Sequence, residues 1–205
     1  IAVGASTWYD NLVFRTMSGA ISTDINGALS MLDGASLTTG TMSLASSITT
    51  NGGAVTVGGN LYIAGNASIA TSGGAVSINN QTFHGNGYSF TVISSGGNIS
   101  FDTANGVNDN AISGGNASST VALDAGSGTI SFRGQLGVNT AASVTATAGS
   151  ITFGSAWGGT TALGNVTLTA TNSISLPAIT TAAGKTVDVT VTGAGNSITT
   201  TGAIA

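Results

Sequence analysis

The sequence predicts an all-β protein, a parallel β-solenoid, from two observations: an internal repeat of about two dozen residues, and a composition of strand and turn formers. Ser46–Val57 reads SSITTNGGAVTV and Ala67–Ile78 reads ASIATSGGAVSI, the same pattern 21 residues later. The glycine-rich turn and the apolar residue after it then recur at Ile99, Ile130, Ile151, Ile174 and Ile198. Because so small a unit buries its apolar face only against its neighbours, the repeat predicts stacked coils of about 21–24 residues.

The composition favours strands and turns and excludes several classes of function. Threonine, serine, valine, isoleucine, glycine and asparagine dominate, and only 5% of the 205 residues are charged. The hydrophobic content of 41% argues against disorder, which needs low hydrophobicity or high charge. The net charge is −4 with only three cationic side chains, so we expect no nucleic-acid partner and no polybasic membrane patch. No apolar run is long enough for a transmembrane helix, and we expect no membrane insertion.

The absence of cysteine bears on chemistry and on location. It excludes disulfides and thiolate metal sites, and we expect no cofactor. A charge-poor chain without cysteine, rich in threonine, asparagine and glycine, is typical of an exported bacterial protein. We therefore expect an extracellular location, at the bacterial cell surface. Whether these residues are a whole subunit or a segment of a larger protein stays open.

The repeat divides the chain into two predicted parts, residues 1–34 and residues 35–205. From residue 35 onward, short runs alternate apolar and polar residues, as strands with one buried face do. Residues 1–34 are less regular, and we interpret them either as a solenoid cap or as an arm that pairs with another subunit's sheet edge. The spacing of 31 between Ile99 and Ile130 predicts a protruding loop near 103–119.

Three segments of the repeat domain resemble a known family of bacterial proteins. They read GSGTISFRGQLGVNT (126–140), AGSITFGSAWGGTTALGNVTLTATNSISL (148–176) and VTGAGNSITTTGAI (191–204). These segments resemble the repeats of filamentous-haemagglutinin-like, autotransporter-type adhesins, in which a GG-TTALG-N-V-T-L-T element precedes an NSI or GSI strand. The resemblance implies a right-handed parallel β-helix that serves as an extracellular scaffold or adhesin.

The acidic residues offer at most a weak metal site. Asp102 and Asp109 lie in a polar stretch and are a weak calcium candidate, although their spacing matches no calcium-binding loop. The alternative is that they are turn aspartates that bond their own backbone. Together with Asp124 they match no acid/base pattern, and the only histidine, His84, is interpreted as a turn residue packed against a neighbouring aromatic ring. We therefore predict no enzymatic activity.

Two groups of side chains are candidates for a ligand face. Trp157 and Tyr88 would form a sugar-stacking platform if they are exposed, and the alternative is that they fill the core or cover an end. A Thr-x-Thr ladder recurs at intervals of 22 and 23, and stacked outward threonines are the flat array that ice-binding solenoids present. Its members are Thr145, Thr147, Thr167, Thr169, Thr190 and Thr192. Outward threonine is also ordinary strand chemistry.

The function predicted from the sequence is a non-enzymatic, extracellular, structural or adhesive β-solenoid. An exposed ladder edge is a template for another chain, so the expected partner is a second copy in a head-to-tail filament, or further repeats of the same chain. Glycans or proteins on a host or neighbouring cell are the candidate ligands. The candidate subunit contacts are Trp8, Tyr9, Phe14, Ile198 and Ile204. The alternatives are a carbohydrate-binding or carbohydrate-degrading β-helix and an ice-binding solenoid.

Overall fold

The computed structural model describes residues 2–14, 22–101, 110–136, 142–158 and 161–205, and these form strands joined by tight turns. Within these ranges no helix is present, and so none is long and apolar enough to cross a membrane. The chain winds into a β-solenoid of about eight turns whose paired strands run parallel. The predicted all-β solenoid is thereby confirmed.

Most coils contribute three short strands. In chain order these are β1 (Ala2–Val3), β2 (Ser6–Trp8), β3 (Leu12–Phe14), β4 (Thr23–Ile25), β5 (Leu29–Met31), β6 (Leu37–Thr39), β7 (Met42–Leu44), β8 (Ser47–Thr50), β9 (Val55–Val57), β10 (Leu61–Ile63), β11 (Ala67–Ala70), β12 (Val76–Ile78), β13 (Thr82–His84), β14 (Ser89–Ile93), β15 (Ile99–Phe101), β16 (Asn110–Gly114), β17 (Thr120–Asp124) and β18 (Thr129–Phe132). The remaining strands are β19 (Gln135–Leu136), β20 (Ser143–Phe153), β21 (Val166–Leu176), β22 (Val187–Val191) and β23 (Ser197–Thr200).

The strands stack into three faces, which we name A, B1 and B2. Face A is the seven-stranded sheet, with the order β1-β4-β7-β10-β13-β16-β19. Face B1 contains β2, β5, β8, β11, β14, β17, the first halves of β20 and β21, and β22. Face B2 contains β3, β6, β9, β12, β15, β18, the second halves of β20 and β21, and β23. Since β20 and β21 each serve two faces, they are 11 residues long.

The core consists of columns in which one residue per coil points inward. On face B2 the apolar positions that revealed the repeat form one such column: Leu12, Leu37, Val55, Val76, Ile99, Ile130, Ile151, Ile174 and Ile198. Apart from the first and the last, these side chains are fully buried. Each contributes about 1.5–3 kcal/mol on leaving water, so the shared interior is the main stabilising element of the fold.

The solenoid begins earlier than the sequence analysis placed it. Strand β1 pairs with β4, β2 with β5 and β3 with β6, all in parallel register. The described part of residues 1–34 therefore belongs to the first two coils, and the predicted boundary at residue 34 falls in the turn between β5 and β6. A role for residues 1–34 as a cap or as a pairing arm stays a prediction.

The extra residues between Ile99 and Ile130 enter at one corner. The predicted loop at 103–119 was wrong for residues 110–114, because these form β16, which pairs with β13 and β19 on face A. Most of the surplus falls in residues 102–109, which lie outside the described part of the chain. An insertion at a corner lengthens one coil and leaves the parallel register of the other faces unchanged.

A column of glycines forms the corner between faces B1 and B2. In successive coils these are Gly53, Gly74, Gly97, Gly128 and Gly149. A Cβ atom built on any of them would lie between 1.8 and 2.3 Å from a carbonyl oxygen of the preceding coil, which leaves no room for any other residue. In three coils a hydroxyl three residues earlier, on Thr50, Thr71 or Ser94, donates a hydrogen bond to the glycine carbonyl. This corner explains the repeated glycine-rich turns of the sequence.

Asparagines that immediately precede strands tie each coil to the next. The Oδ1 atom of Asn98 accepts a hydrogen bond of 2.9 Å from the backbone N–H of Thr129, one coil further along. The same arrangement joins Asn11 to Ser36, Asn66 to Ser89 and Asn165 to Thr186. Each bond satisfies a backbone donor where the next coil enters its strand, so these side chains hold adjacent coils in register.

Candidate functional site

The threonine ladder lies on face B1, but its register in the last coil differs from the predicted one. The two outward columns read Thr145–Thr167–Asp188 and Thr147–Thr169–Thr190. The prediction paired Thr190 with Thr167 and was wrong, because Asp188 occupies that place. Thr192 lies after the end of β22 and belongs to neither column. The Thr-x-Thr array is therefore two coils deep, which weakens the basis for the ice-binding alternative.

Upstream of the ladder, face B1 has a shallow depression where Ala122 stands opposite Thr145. The depression has a volume of about 190 Å³, and Thr91, Ile93 and Asp124 contribute to its lining. The carboxylate of Asp124 accepts a hydrogen bond of 2.8 Å from the N–H of Gly126, as expected of an aspartate at a turn. The depression is thus a gap left by one small side chain, with its single carboxylate already bonded to the backbone.

Face B2 carries a longer column of hydroxyls that the sequence analysis missed. Its outward residues are Thr38, Thr56, Ser77, Ser100, Ser131 and Thr152 in successive coils. The column is one residue wide, and the Ser100 hydroxyl donates to the Ser77 hydroxyl at 3.3 Å. A repeat spacing of 18 to 31 residues could have revealed it. These uncharged hydroxyls make a neutral, polar surface.

Trp157 is fully buried, so it fills the core, which was one of its two predicted alternatives, and it does not form an exposed sugar-stacking platform. Its ring meets Phe132 and Phe153 edge-on, with centroids 4.7 and 4.5 Å apart. Phe101, Phe132 and Phe153 themselves stack in successive coils at 5.3 and 5.5 Å. The indole N–H of Trp157 has no hydrogen-bond partner among the described residues. Trp157 therefore completes an internal aromatic stack.

Tyr88 is 37% exposed and lies far along the chain from Trp157, on the outside of an earlier coil. Its ring covers Gly85 at the corner between faces A and B1, since a Cβ on Gly85 would lie 2.5 Å from the ring carbon Cδ2. The structure therefore does not bring Tyr88 and Trp157 together into one ligand face.

A different aromatic pair stands on the outward side of face A. Tyr62 and Phe83 occupy paired positions in β10 and β13, and their rings stack with centroids 4.9 Å apart and planes 11° apart. Tyr62 is 40% exposed. In the opposite direction the column continues to Ser43 and then Asp24. Both have short side chains, so among the described residues no ring stacks on the second face of Tyr62. The signal that the sequence analysis missed is the spacing of 21 between the two aromatic residues.

His84 points into the solenoid and is only 4% exposed, so the interpretation of a turn histidine was wrong. Its Nδ1 atom lies 2.8 Å from the carbonyl oxygen of Gly85, and its Nε2 atom lies 3.3 Å from that of Thr120. Because both ring nitrogens face backbone oxygens inside the fold, this side chain is placed to join two coils and has no access to a substrate.

The calcium candidate Asp102 and Asp109 lies outside the described residues and stays a prediction. In the ranges that the structure does describe, no three histidine, cysteine, aspartate or glutamate side chains come together in a way that could hold a metal ion.

The candidate subunit contacts lie at the two ends of the solenoid. Trp8 and Tyr9 are exposed in the first coil, and Ile198 and Ile204 are exposed in the last. The side chain of Phe14 lies outside the described part of the chain. Ile198 is the last member of the buried column on face B2, and β22 and β23 each pair on one side only. Each end therefore presents apolar side chains next to an unpaired strand edge.

No family model matches this chain, and no curated protein or solved structure matches it either. The β-solenoid assignment stands on the strand register alone. The resemblance to adhesin repeats has no further support beyond the sequence motifs that suggested it.

Proposed function

We propose that this chain is a structural and adhesive segment of an extracellular bacterial surface protein, with no enzymatic activity of its own. The observation that carries the proposal is the parallel pairing that continues coil upon coil from β1 to β23. Each coil buries its apolar columns only against its neighbours, so the fold gains length with each repeat and holds its outward faces at fixed spacing. That is the property a spacer or scaffold needs.

The dimensions and bonding favour a stiff body. About eight turns at a rise of roughly 4.8 Å give a length of roughly 40 Å. Adjacent coils are joined on three faces by backbone hydrogen bonds, at one corner by the glycine column, and at strand entries by the asparagine bonds. Bending the body would require several of these contacts between coils to break together.

The surface chemistry suits exposure outside a cell. The outward columns of faces B1 and B2 are largely serine and threonine, which hydrogen-bond to water and carry no charge. Cysteine is absent, so nothing in the chain is open to thiol oxidation. The resemblance to filamentous-haemagglutinin-like repeats supports the same location.

The partner that best fits the ends is another coil of the same kind. Ile198 and Ile204 are nearly half exposed at the last coil, and an added coil would cover them while extending the parallel ladder. A second copy of this chain, or further repeats of the same chain, would supply that coil with the same chemistry. Such a contact is heterologous and propagates into a filament.

Self-association tests the proposed contact. Sedimentation velocity over a range of protein concentrations is expected to reveal concentration-dependent growth of the wild-type chain. Ile198→Asp places a charge in the apolar column and is expected to abolish this growth. Thr199→Asp adds the same charge one residue later on the outward side of β23 and serves as the matched control. Equal sedimentation of all three proteins would contradict the end-to-end contact.

Protease treatment of intact cells of the source bacterium tests the proposed location. A surface protein is degraded while the cells stay whole and a cytoplasmic marker survives, and an antibody against this chain follows the loss. Protection until the cells are lysed would refute an extracellular role.

A further inference from the structure

We propose that the outward column of face A binds the neutral sugar rings of a glycan, with one ring stacked on the face of Tyr62 that is turned away from Phe83. The observations are the stacked pair of Tyr62 and Phe83, the short side chain of Ser43 beside it, and the carboxylate of Asp24 one coil further. The inference rests on the proposed adhesive role and assigns it a site and a ligand class.

The space over Ser43, beside the Tyr62 ring, has room for one sugar ring. Coils follow one another at about 4.8 Å, so Ser43 lies one step from Tyr62 and Asp24 lies two steps away, roughly 9.6 Å. A ring stacked on the face of Tyr62 that is turned away from Phe83 would lie directly over Ser43. Phe83 supports the tyrosine from behind with its centroid 4.9 Å away, so the stacking surface is held in place before any ligand arrives.

Polar groups surround this aromatic face. The Nδ2 atom of Asn60 donates to the Tyr62 hydroxyl at 3.4 Å, which places an amide and a phenol at the outer edge of the ring. The Ser43 hydroxyl lies beneath the position of the ligand. The Asp24 carboxylate accepts a 2.8 Å bond from the Ser22 hydroxyl and, as a carboxylate, offers further acceptor positions. Donors and acceptors thus lie on both sides of an apolar face.

This mixture favours a neutral polyhydroxylated ring over a charged ligand. An acidic sugar would meet Asp24 on a chain of net charge −4. An arginine side chain from a protein partner could stack on Tyr62 and pair with Asp24, but a guanidinium accepts no hydrogen bond, so the donors of Asn60 and Ser43 would stay unused. A sugar hydroxyl both donates and accepts, and can use all three groups.

Saturation-transfer NMR and calorimetry on the whole chain test the site. The probes are cellohexaose and chitohexaose as neutral glycans, an oligogalacturonate hexamer as an acidic glycan, and hexaarginine as a cationic peptide. The variants are Tyr62→Ala, Tyr62→Phe and Asp24→Asn. Ile93→Ala is the matched control, because Ile93 is as exposed as Tyr62 and lies on face B1.

At least one neutral hexasaccharide is expected to bind the wild-type chain, and Tyr62→Ala to weaken it by about tenfold or more. Tyr62→Phe and Asp24→Asn are expected to stay within about fivefold, because ring stacking and acceptor oxygens remain. Ile93→Ala is expected to bind as the wild-type chain does, because it leaves face A unchanged. Ring-proton shifts of Tyr62 in the wild-type protein provide a second readout that needs no variant. Three results would each overturn the site. The first is that neither neutral hexasaccharide binds, and the second is that Tyr62→Ala binds as tightly as the wild-type chain. The third is that only hexaarginine binds and that Asp24→Asn abolishes this binding. If glycan binding fails while self-association is observed, the proposed scaffold role stands without this site. If glycan binding is observed while self-association fails, the site stands and the proposed end-to-end contact does not.

Discussion

The glycine corner between faces B1 and B2 makes a quantitative prediction about stability. In Gly74→Ala the new Cβ would lie 2.2 Å from the carbonyl oxygen of Gly53 and 2.5 Å from its carbon, both in the preceding coil. These are backbone atoms and cannot swing away. To reach an acceptable distance of roughly 3.2 Å, the two coils must separate by about 1 Å at this corner.

That separation has a calculable cost. Two backbone bonds span the same corner, from the N–H of Val55 to the Ala75 carbonyl at 2.9 Å and from the N–H of Gly52 to the Thr71 carbonyl at 3.2 Å. Losing both costs about 2 kcal/mol, and the packing strain adds about 1–3 kcal/mol. We therefore expect Gly74→Ala to lower the free energy of unfolding by about 3–5 kcal/mol.

Two further substitutions separate steric contact between coils from backbone strain. At Gly58 a Cβ would lie 3.4 Å from its nearest neighbour, so Gly58→Ala is expected to change stability by less than about 1 kcal/mol. At Gly73 a Cβ has open space but φ is +107°, so Gly73→Ala reports backbone strain alone, about 1–3 kcal/mol.

Guanidinium unfolding followed by far-ultraviolet circular dichroism measures all three variants. Hydrogen exchange at the Val55 amide reports the corner directly, which matters because a repeat array can open locally. If Gly74→Ala unfolds at the same denaturant concentration as Gly58→Ala, the coils are not in close contact at this corner and the reasoning fails.

Three other substitutions test contacts between coils by the same unfolding measurement. Asn98→Ala removes the acceptor for the N–H of Thr129 and is expected to cost about 1 kcal/mol, whereas Asn98→Asp keeps an acceptor; equal losses would exclude this bond as the cause. Thr71→Val removes the buried hydroxyl that donates to the Gly74 carbonyl and is expected to cost about 1–3 kcal/mol, while Thr71→Ser restores the donor and should recover most of the loss. Trp157→Phe removes an unpartnered buried N–H and is expected to cost less than about 1.5 kcal/mol, against about 3–5 kcal/mol for Trp157→Ala; similar losses for both would mean that the indole nitrogen is bonded after all.

The sequence was sufficient for the architecture because a repeat fixes which residues share a column. The alternation of apolar and polar residues indicates the inward phase of β21, in which Val166, Leu168 and Ile174 are all buried. Period and phase are properties of the local pattern, and a solenoid adds no long-range rearrangement that could override them. Fold class and core could therefore be inferred without a structure.

The register of the last coil could not be inferred, for a specific reason. Strand β22 reads VDVTV, so pairing Val166 with Val187 or with Val189 keeps the same residues inside. Shifting the pairing of β22 by one residue would turn its inward side chains outward. Shifting it by two residues leaves the same side chains inward, so the hydrophobic pattern does not distinguish the two registers. The choice depends on how much chain the preceding turn takes up, which the sequence does not reveal.

The surroundings of the aromatic residues depend on neighbours in other coils, so the sequence left two alternatives open for Trp157 and did not reveal the pair of Tyr62 and Phe83. Whether Trp157 fills the interior depends on Phe132 and Phe153, and whether Tyr62 forms a platform depends on Phe83. Neither relation is visible within a single repeat. Comparing equivalent positions across repeats reveals the pair of Tyr62 and Phe83, which are 21 residues apart.

The direction of the hydrogen bonds between coils has a mechanical consequence. They run along the long axis, so a pull applied to the two termini strains the ladder at an end before the layers in the middle. One unfolded coil of about 22 residues would extend to roughly 75 Å while the other coils stay folded. A molecule built in this way therefore lengthens one coil at a time under tension.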